Sequence, residues 1–426
     1  MGVLIEIYRA FLRALQPLAR VVLRAGALLS ERWRAGWRQR LGDVPAIERT
    51  DRKLVWLHAA SVGEVETAWP LVKKLLDRFD VVVSTLTPTG QEVVRNRGGV
   101  KGSFLLPLDM PGFVARAFDR VRPDLIVVAE TEIWPCFICE AARRNIPLAF
   151  VNARISDRTL ARYALLRRFF APLLNSAAFI GVQSEEHARR FGKLGIDAGK
   201  IVRLGNLKLD IDPQELGRRA EALADELGRF VPPDRPVVVF ASTHRGEEKL
   251  LVPVISSLAG RAFCVLVPRH PERAEEVARL LRSGGIEFSL LSSNEPHPDV
   301  LVVDAIGKLL FFYARATLAF VGGSLVPVGG HNIAEPAAFA KPVLFGPHMF
   351  NFRDAARILL DARGAVMVES ADELADALGV LLENPSTARE MGNRAREALQ
   401  VHRGATQRTY QAVLELAGKS SDFEAS

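Results

Sequence analysis

Two glycine pairs and a few polar side chains lie together in the stretch FVGGSLVPVGGHNIAEPAAFAKPVLFGP, Phe320 to Pro347. The apolar runs at its ends predict buried strands, with a helix between them. Asn332 and Glu335 have the spacing of a capping box at the start of that helix. Because glycines turn tightly and leave backbone N–H groups accessible, the stretch predicts a phosphate site at a helix N-terminus. In the alternative interpretation, the polar pair only caps the helix and the glycines only form a turn.

Two other strand ends in the second half of the chain carry hydroxyls and cations. PVVVFA is followed by STHRGEE, and FCVLV is followed by PRHP. Because ligands of open parallel sheets bind beyond the carboxyl ends of the strands, these residues and the glycine stretch predict one anion site. Taken singly, each residue fits a helix cap or a surface ion pair better than a ligand contact, and only the three strand ends together indicate an anion site. The candidate residues are Ser242, Thr243, Arg245, Arg269, His270, Gly322, Gly323, Ser324, Gly330, His331, Asn332 and Glu335.

Carboxylates follow strands in the first half of the chain. LVWLHAASVGEVETAWPL places Glu64 at a predicted helix start, beside Ser61 and Gly63. A carboxylate at that edge, facing the other domain across a cleft, is a candidate general base. The alternative is a glutamate that only stabilises the helix N-terminus. VVAETEIWP adds Glu130 and Glu132 at another strand end.

Hydroxyl and arginine side chains accompany these carboxylates. TLTPTGQE contributes Thr87, and NARISDRTLARYALLRRFF begins its series of arginines at Arg154. Aromatic residues alternate with the arginines of this second stretch. It is therefore either a solvated helix face or a docking surface for an anionic, lipid-bearing acceptor.

The elements that position these residues alternate between apolar runs and amphipathic helical stretches. The runs are rich in Val and Ile without alternating polarity, which is typical of parallel strands covered by helices on both faces. A proline-bearing stretch, LDIDPQELGRRAEALADELGRFVPPDRP, separates two such halves. The runs are KLVWLHAAS, DVVVSTLT, DLIVVAETE, PLAFVNARIS, AFIGVQS and KIVRLGN in the first half, and PVVVFAST, AFCVLVPRH, DVLVVDAI, TLAFVGGS and KPVLFGP in the second.

Composition agrees with an ordinary globular protein of two domains. The chain has 426 residues, 49% of them hydrophobic and 25% charged, and a net charge of +7. This basic excess is consistent with anionic substrates or an anionic membrane face. The three cysteines cannot all pair, and no second pair accompanies the C-x-x-C of Cys136 and Cys139 to make a zinc site, which favours reduced thiols in a cytosolic setting. No G-x-G-x-x-G follows a strand and no G-x-x-x-x-G-K-[ST] occurs, so dinucleotide oxidoreductases and P-loop hydrolases lose their main support.

The N-terminal stretch predicts an amphipathic helix. It has neither an apolar run long enough to span a bilayer nor the uninterrupted core of a signal peptide. At about 100° per residue, Arg9, Arg13, Arg20 and Arg24 share one stripe and leave apolar residues over the rest of the surface. We expect this helix to lie at a membrane interface. The alternative is a helix packed on the protein with its arginines solvated.

An ordered set of motifs closely resembles the 3-deoxy-D-manno-octulosonic acid (Kdo) transferases of lipopolysaccharide assembly. The resemblance runs from about Leu54 to Arg357, and its motifs are AASVGEVE, STLTPTG, PLDMPG, VVAETEIWP, VNARIS, GVQSEEHARRF, GNLKLD, ASTHRGEE, VPRHPER and FVGGSLVPVGGHNIAEP. It implies an α/β protein with the GT-B glycosyltransferase fold, two Rossmann-like domains whose parallel sheets face a cleft. It also implies inverting, metal-independent transfer of Kdo from CMP-Kdo to a lipid A precursor (lipid IVA), with Glu64 as the catalytic base.

The resemblance also implies roles for the other candidates. The anion-site residues would hold the donor, and the acceptor would contact Ser61, Gly63, Thr87, Glu130, Glu132 and Arg154. No cofactor, metal or nucleic acid is expected. The protein would work at the cytoplasmic face of the bacterial inner membrane, peripheral or N-terminally anchored.

We expect three segments and keep two other functions open. The segments are a membrane-associating segment 1–45, an acceptor-binding domain 46–211 and a donor-binding domain 212–426 whose last helix crosses back to the first domain. One alternative function is another GT-B nucleotide-sugar enzyme with a uridine donor. The other is a noncatalytic protein that binds a membrane surface. Nucleotide selectivity tests the first, and replacement of Glu64 tests the second.

Overall fold

The computed structural model describes residues 2–29, 34–295 and 299–422. The chain divides into two compact units, which we describe separately. Unit 1 comprises Met1–Asp210 and Gly404–Ser426, and unit 2 comprises Ile211–Arg403. Residues 30–33 of the predicted segment 1–45 lie outside the described residues. The division of acceptor and donor binding between two domains stays a prediction.

Unit 1 contains a parallel sheet of seven strands in the order β3-β2-β1-β4-β5-β6-β7. The central strands are buried along their whole length, as their Val- and Ile-rich sequences predict. The chain runs outward from β1 to β3 and then returns to β4, which makes a topological switch point at the carboxyl ends of β1 and β4. The strands are β1 Leu54–His58, β2 Asp80–Thr85, β3 Gly102–Leu105, β4 Leu125–Ala129, β5 Leu148–Ala153, β6 Phe179–Val182 and β7 Ile201–Arg203.

Unit 2 contains a second parallel sheet of seven strands, in the order β10-β11-β9-β8-β12-β13-β14. Its first strand, β8, is again central, and the switch point lies between β8 and β12. The strands are β8 Val237–Thr243, β9 Phe263–Pro268, β10 Ser289–Leu290, β11 Val300–Val302, β12 Leu318–Val321, β13 Val343–Phe345 and β14 Ala365–Met367. The three strands that the sequence analysis did not predict, β3, β10 and β14, all lie at sheet edges.

Helices cover both faces of each sheet. Those of unit 1 before the division are α1 Val3–Leu29, α2 Trp37–Arg40, α3 Val62–Leu76, α4 Pro88–Arg97, α5 Pro111–Val121, α6 Pro135–Arg143, α7 Asp157–Leu165, α8 Arg167–Asn175 and α9 Glu185–Leu194. Those of unit 2 are α10 Pro213–Glu221, α11 Ala224–Leu227, α12 Glu247–Ser257, α13 Ala274–Ser283, α14 Leu309–Arg315, α15 Ala334–Ala338, α16 Arg353–Asp361, α17 Ala371–Glu383 and α18 Pro385–Gln400. The last helix, α19 Ala405–Asp422, belongs to unit 1.

Asp210 fixes the point at which the chain returns to unit 1. Its two carboxylate oxygens accept hydrogen bonds from the backbone N–H groups of Gly404 and Thr406, each at 2.6 Å. Helix α19 then packs on one face of the unit 1 sheet, where Val413 and Ala417 join the core around α3. Unit 1 is therefore assembled from both ends of the chain.

Helix α1 packs on unit 1 through one face and leaves another apolar face exposed. Ile5 and Leu23 are buried, whereas Ile7, Phe11 and Leu18 are each at least 60% exposed. None of the helices in the described residues has the length and apolar character that a membrane span requires. One face of the helix therefore packs on the protein, as the alternative interpretation predicts. An apolar stripe nevertheless remains exposed, as the membrane interpretation requires.

Candidate functional site

Glu64 lies in the first turn of α3, immediately after β1 at the switch point of unit 1. Ser61 is the N-cap of α3, and its Oγ accepts a hydrogen bond from the Glu64 N–H at 3.3 Å. The Glu64 carboxylate accepts one hydrogen bond from the backbone N–H of Ala60 at 2.8 Å and one from the Ser61 hydroxyl at 3.1 Å. Glu64 therefore contributes to the hydrogen bonding at the N-terminus of α3, as the alternative interpretation of this residue predicts. Two hydrogen bonds leave the carboxylate with acceptor capacity for a substrate hydroxyl.

The surroundings of Glu64 suit it to accept a proton near neutral pH. Burial raises its pKa to about 7, and the negative charges of Glu130 and Glu132 act in the same direction. The hydrogen bonds from Ala60 and Ser61 favour the ionised form and oppose this rise only in part. A carboxyl group whose pKa is near the working pH has the properties of a general base.

Glu130 and Glu132 follow β4, the other strand of the same switch point. Glu130 has a positive φ of 58°, which is uncommon for a residue other than glycine. Its carboxylate forms ion pairs with Arg154 and Lys208, each at 3.2 Å. Glu132 has a raised pKa because of burial and the Glu130 charge. Three carboxyl groups and two cations thus surround the carboxyl ends of β1 and β4.

The remaining acceptor candidates lie at the same edge of the sheet. Thr87 follows β2 and is the N-cap of α4, where its Oγ1 accepts a hydrogen bond from the Gly90 N–H at 3.1 Å. Gly63 is exposed, and its carbonyl oxygen accepts a hydrogen bond from the Thr67 hydroxyl at 2.7 Å. Both residues therefore have structural roles, and their contact with an acceptor stays a prediction.

The glycine stretch of unit 2 binds an anion, but that anion is a side chain of the protein. The carboxylate of Glu247, which is fully buried, accepts hydrogen bonds from the backbone N–H groups of Gly323 at 2.7 Å, Ser324 at 3.1 Å and Leu325 at 3.0 Å. It also accepts one from the His244 N–H at 3.3 Å. The prediction that these N–H groups are open to phosphate is wrong, because Glu247 already occupies them.

Close packing explains the glycine at position 322. A Cβ atom there would lie 2.5 Å from a carboxylate oxygen of Glu247 and 2.9 Å from the Thr243 Cα. The second glycine pair is also internally bonded, since the N–H groups of Gly329 and Gly330 both donate to the Gly323 carbonyl, at 3.1 and 2.8 Å. The glycines therefore build a compact loop around Glu247.

The predicted capping box of Asn332 and Glu335 has a different geometry. The Asn332 Oδ1 accepts from the Ala334 N–H at 3.1 Å, and its amide donates to the Glu335 carboxylate at 3.2 Å. The N-cap of α15 is Ile333, and the helix has only five residues. We therefore correct the prediction of a helix N-terminal phosphate site, because so short a helix supplies few aligned N–H groups. Burial raises the pKa of Glu335.

Three histidines lie together at the switch point of unit 2. The rings of His244 and His331 are parallel within 3°, with centroids 5.0 Å apart, and their Nε2 atoms are 2.7 Å apart. The ring of His270 stands edge-on to His244 at 5.9 Å. His244 is not among the candidates predicted from the sequence, although it lies within the STHRGEE stretch that supplied its neighbours.

The arginines of unit 2 have different surroundings. Arg245 is 79% exposed and pairs with Glu276 at 3.1 Å. Arg269 is also exposed, and among the described residues its guanidinium has no ion-pair or hydrogen-bond partner. Its backbone N–H donates to the Thr243 carbonyl at 3.0 Å, which places it beside the end of β8. Of these two candidates, Arg269 is the one whose charge is available for a ligand.

Comparison with known proteins gives the family. Residues 35–211 match the family described as 3-Deoxy-D-manno-octulosonic-acid transferase (kdotransferase). The chain is 36% identical over 413 residues to the 3-deoxy-D-manno-octulosonic acid transferase of Haemophilus influenzae, covering 94% of this chain and 96% of that protein. The Bordetella pertussis transferase of the same name is 34% identical over 383 residues, covering 85% and 87%. The chain belongs to the Kdo transferase family. It is therefore an enzyme, a glycosyltransferase, as the sequence analysis predicted.

Solved structures with the same fold include enzymes outside the Kdo transferases. A UDP-GlcNAc 2-epimerase from Neisseria meningitidis aligns with a TM-score of 0.58 and 14% identity, covering 85% of this chain and all of that one. A glycosyltransferase from Rickettsia africae aligns with a TM-score of 0.54 and 15% identity, covering 87% and 99%. At this identity the likeness concerns the fold alone. The predicted GT-B fold, with two parallel sheets, is confirmed.

In this Kdo transferase, the structure groups the candidate residues at two switch points. Glu64, Ser61, Glu130, Glu132 and Arg154 lie at that of unit 1, and the donor candidates lie at that of unit 2. Lys208 was missed because nothing in GNLKLD indicates an ion pair with Glu130. Among the described residues, no group of three or more His, Cys, Asp or Glu side chains is arranged to hold a metal ion.

Proposed function

We propose that this protein transfers Kdo from CMP-Kdo to a lipid A precursor (lipid IVA) by an inverting, metal-independent reaction with Glu64 as general base. The observation that carries the proposal is the Glu64 carboxyl group, which is partly buried at the unit 1 switch point and has a pKa raised to about 7. Membership of the Kdo transferase family supports Kdo as the sugar that is transferred. The donor nucleotide, the acceptor and the stereochemistry are what we add.

The proposed reaction is a single displacement at the anomeric carbon of Kdo. A hydroxyl of the acceptor attacks, the bond from the anomeric carbon to the phosphate oxygen breaks, and CMP leaves with the electron pair. The proton of the attacking hydroxyl passes to the Glu64 carboxylate. Because attack and departure occur on opposite faces of the sugar, the configuration at the anomeric carbon inverts.

The leaving group can be stabilised by side chains of unit 2. CMP gains negative charge as the bond breaks, and a guanidinium such as that of Arg269 favours that charge. Asn332 and Glu335 form a hydrogen-bonded pair at the same edge and are suited to bind ribose or base. The carboxylate of Glu247 is not available for this role, since backbone N–H groups surround it.

A transfer assay tests the proposal directly. Freshly prepared CMP-Kdo and detergent-solubilised lipid IVA are incubated with EDTA and the wild-type protein, Glu64→Gln or Glu66→Gln, and products are read by mass spectrometry. Glu66 is the matched control because it lies on the same helix but pairs with Arg97 and is 46% exposed. We expect product from the wild type and Glu66→Gln, and almost none from Glu64→Gln.

Each other outcome contradicts a particular part of the proposal. Equal product from wild type and Glu64→Gln would show that Glu64 is only a helix cap. Product that requires a divalent ion would refute metal independence. Failure with lipid IVA while CMP binds would refute the acceptor. Turnover of a UDP-sugar in place of CMP-Kdo would favour the alternative of a uridine-dependent enzyme.

We also propose that α1 attaches the protein peripherally to the cytoplasmic face of the inner membrane. The exposed stripe of Ile7, Phe11 and Leu18 is flanked by Arg13 and Arg24, which are exposed as well. An apolar stripe beside cations is the arrangement that binds an anionic bilayer surface. Arg9 does not belong to this flank, because it pairs with Glu6 at 3.0 Å and its side chain is only 14% exposed.

Vesicle flotation tests the attachment. We expect the wild type to float with vesicles that contain anionic lipid and to bind neutral vesicles more weakly. Phe11→Glu should reduce binding to anionic vesicles by about tenfold, because it places a charge in the apolar stripe. Val380→Glu, a substitution at a 58% exposed apolar position of unit 2, is the matched control. Equal loss in both variants, or none in either, would contradict attachment through α1.

A further inference from the structure

The histidine pair of unit 2 has a defined capacity for protons. Because the Nε2 atoms of His244 and His331 are 2.7 Å apart, one must carry a hydrogen and donate it while the other accepts. The neutral pair can take up one more proton, at the free Nδ1 of the donor ring, and keep this contact. A second added proton would place two N–H groups against each other and break the contact.

The glycine loop holds the two rings in place. A Cβ atom on Gly323 would lie 3.1 Å from the His331 ring and 3.2 Å from the His244 ring, so the backbone packs against both. Glu247 accepts hydrogen bonds from the N–H groups of Gly323 and His244 and ties the loop to the end of β8. The pair is therefore part of a built structure and not a chance contact between surface side chains.

Burial, together with the cations around the pair, keeps it neutral without a ligand. Burial lowers the pKa of His331 to about 4, and His244, Arg269 and His270 act in the same direction. The pKa of His244 is also lowered, mainly by burial and then by His270, with Arg273 and Arg269 adding to this and Glu248 opposing it. The nearby negative charges are already compensated, since Glu248 pairs with Arg273 at 2.7 Å and Glu247 accepts four backbone N–H groups.

One charged group beside the pair is open to a ligand. The Arg269 side chain is exposed, and among the described residues its guanidinium has no ion-pair or hydrogen-bond partner. Arg269 acts electrostatically on both histidines. An anion bound to Arg269 would offset one of the positive charges that oppose protonation of the pair, and its own negative charge would favour an added proton.

We propose that binding of an anionic group of the donor beside Arg269 is coupled to uptake of one proton by the His244–His331 pair. This inference rests on the proposed function for the identity of the donor. The anionic group is either the phosphate or the sugar carboxylate, which share the chemistry that Arg269 recognises. The protonated pair would then stand beside the phosphate as the bond to the sugar breaks, and would offset the negative charge that CMP gains.

Proton uptake makes donor affinity depend on pH in a known direction. A group whose pKa is higher in the complex than in the free protein strengthens binding as pH falls. We expect the association constant to rise by about three- to tenfold for each pH unit below the pKa reached in the complex, until the free pair is itself protonated.

Calorimetric titration of the full chain tests the coupling. The probe is the methyl ester of CMP, a phosphodiester like the donor, whose phosphate does not titrate near neutral pH. Titrations at pH 6 to 8, in buffers of different ionisation enthalpy, give the number of protons taken up. Free Kdo serves as a second probe that carries only the carboxylate. The variants are His244→Gln and His331→Gln, which retain hydrogen-bonding groups but cannot be protonated, and His402→Gln is the matched control.

We expect the wild type and His402→Gln to take up as much as one proton on binding. Both pair variants should take up fewer protons, and their affinity should vary less with pH. If the ester binds without uptake, or with equal uptake in the pair variants, the coupling is refuted and the proposed function stands. If only inorganic phosphate binds, with uptake that depends on the pair, the anion site stands and the donor assignment fails. If phosphate does not bind either, the site itself is refuted.

Discussion

Glu64 and Glu247 occupy equivalent positions in the two units, and they differ in how many hydrogen bonds they accept. Each lies in the first turn of the helix that follows the first strand of its sheet, and burial raises the pKa of each. Glu64 accepts two hydrogen bonds from its own loop. Glu247 accepts four backbone N–H groups, three of them from the loop after β12.

This difference separates a carboxylate that can react from one that holds the fold together. Glu247 is fully buried, and its oxygens are saturated by donors that cannot move without the backbone. Glu64 remains partly exposed and keeps acceptor capacity on both oxygens. The same switch-point geometry therefore leaves the carboxylate of unit 1 able to take the chemical role that we propose for it, and it gives the carboxylate of unit 2 a structural role. The number of local donors distinguishes the two.

The largest expected effect concerns Glu64. Glu64→Gln should lower kcat by about 10²- to 10⁴-fold, because the amide cannot accept the proton. Its folding should be preserved, since the amide oxygen still accepts a hydrogen bond. Because the folded state raises the pKa of Glu64 from 4.5 to about 7, the wild type loses stability as pH rises between these values, and the loss is complete at pH 8. The variant cannot ionise there and should be at least as stable as the wild type at pH 8. Kinetics and urea unfolding measure the two effects, and a large loss of stability would break the comparison.

The second effect concerns Glu247. Glu247→Ala should lower the free energy of unfolding of unit 2 by about 3 kcal/mol, because it leaves four backbone donors without their acceptor. Urea unfolding followed by circular dichroism measures this loss. Glu272→Ala, at a 74% exposed side chain, is the control and should have almost no effect. If the Glu247→Ala protein were stable and lacked only transferase activity, Glu247 would have a chemical role. The distinction between a reactive Glu64 and a structural Glu247 would then be wrong.

The smallest effect concerns the charge beside Glu64. Glu130→Gln removes a negative charge that raises the Glu64 pKa and leaves the cations Arg154 and Lys208 nearby. The acidic limb of the kcat/KM profile should therefore move to lower pH. Profiles from pH 5 to 8 measure the shift, with Glu66→Gln as control. An unmoved limb would mean that another group controls the profile.

The sequence was sufficient for the strands whose apolar runs are buried on both faces. It failed for the short edge strands β3, β10 and β14, because their sequences GSFL, SL and AVM contain no run of Val and Ile. It placed Glu64, Glu130 and Glu132 correctly after their strands, since parallel topology fixes where carboxyl ends meet. It could not show that the loop after β12 is filled by Glu247, because that contact joins residues more than 70 positions apart.

The same limit explains the missed His244 and Lys208. The pairing of His244 with His331 and of Lys208 with Glu130 depends on which loops the sheet brings together. By residue type alone, His244 is one of several polar residues in STHRGEE, and nothing in the sequence singles it out. The N-terminal helix is a different case, since its periodicity predicted an apolar surface. It could not tell which part of that surface packs on unit 1.

The return of the chain at Asp210 has a consequence for folding during synthesis. Unit 2 is one continuous segment, so it can complete its sheet as soon as Arg403 has left the ribosome. The first segment of unit 1 precedes unit 2 in the chain, but α19, which covers one face of its sheet, emerges only after unit 2. Until then the apolar face around α3 is exposed, and the nascent chain is most prone to aggregation in the part that was synthesised earliest.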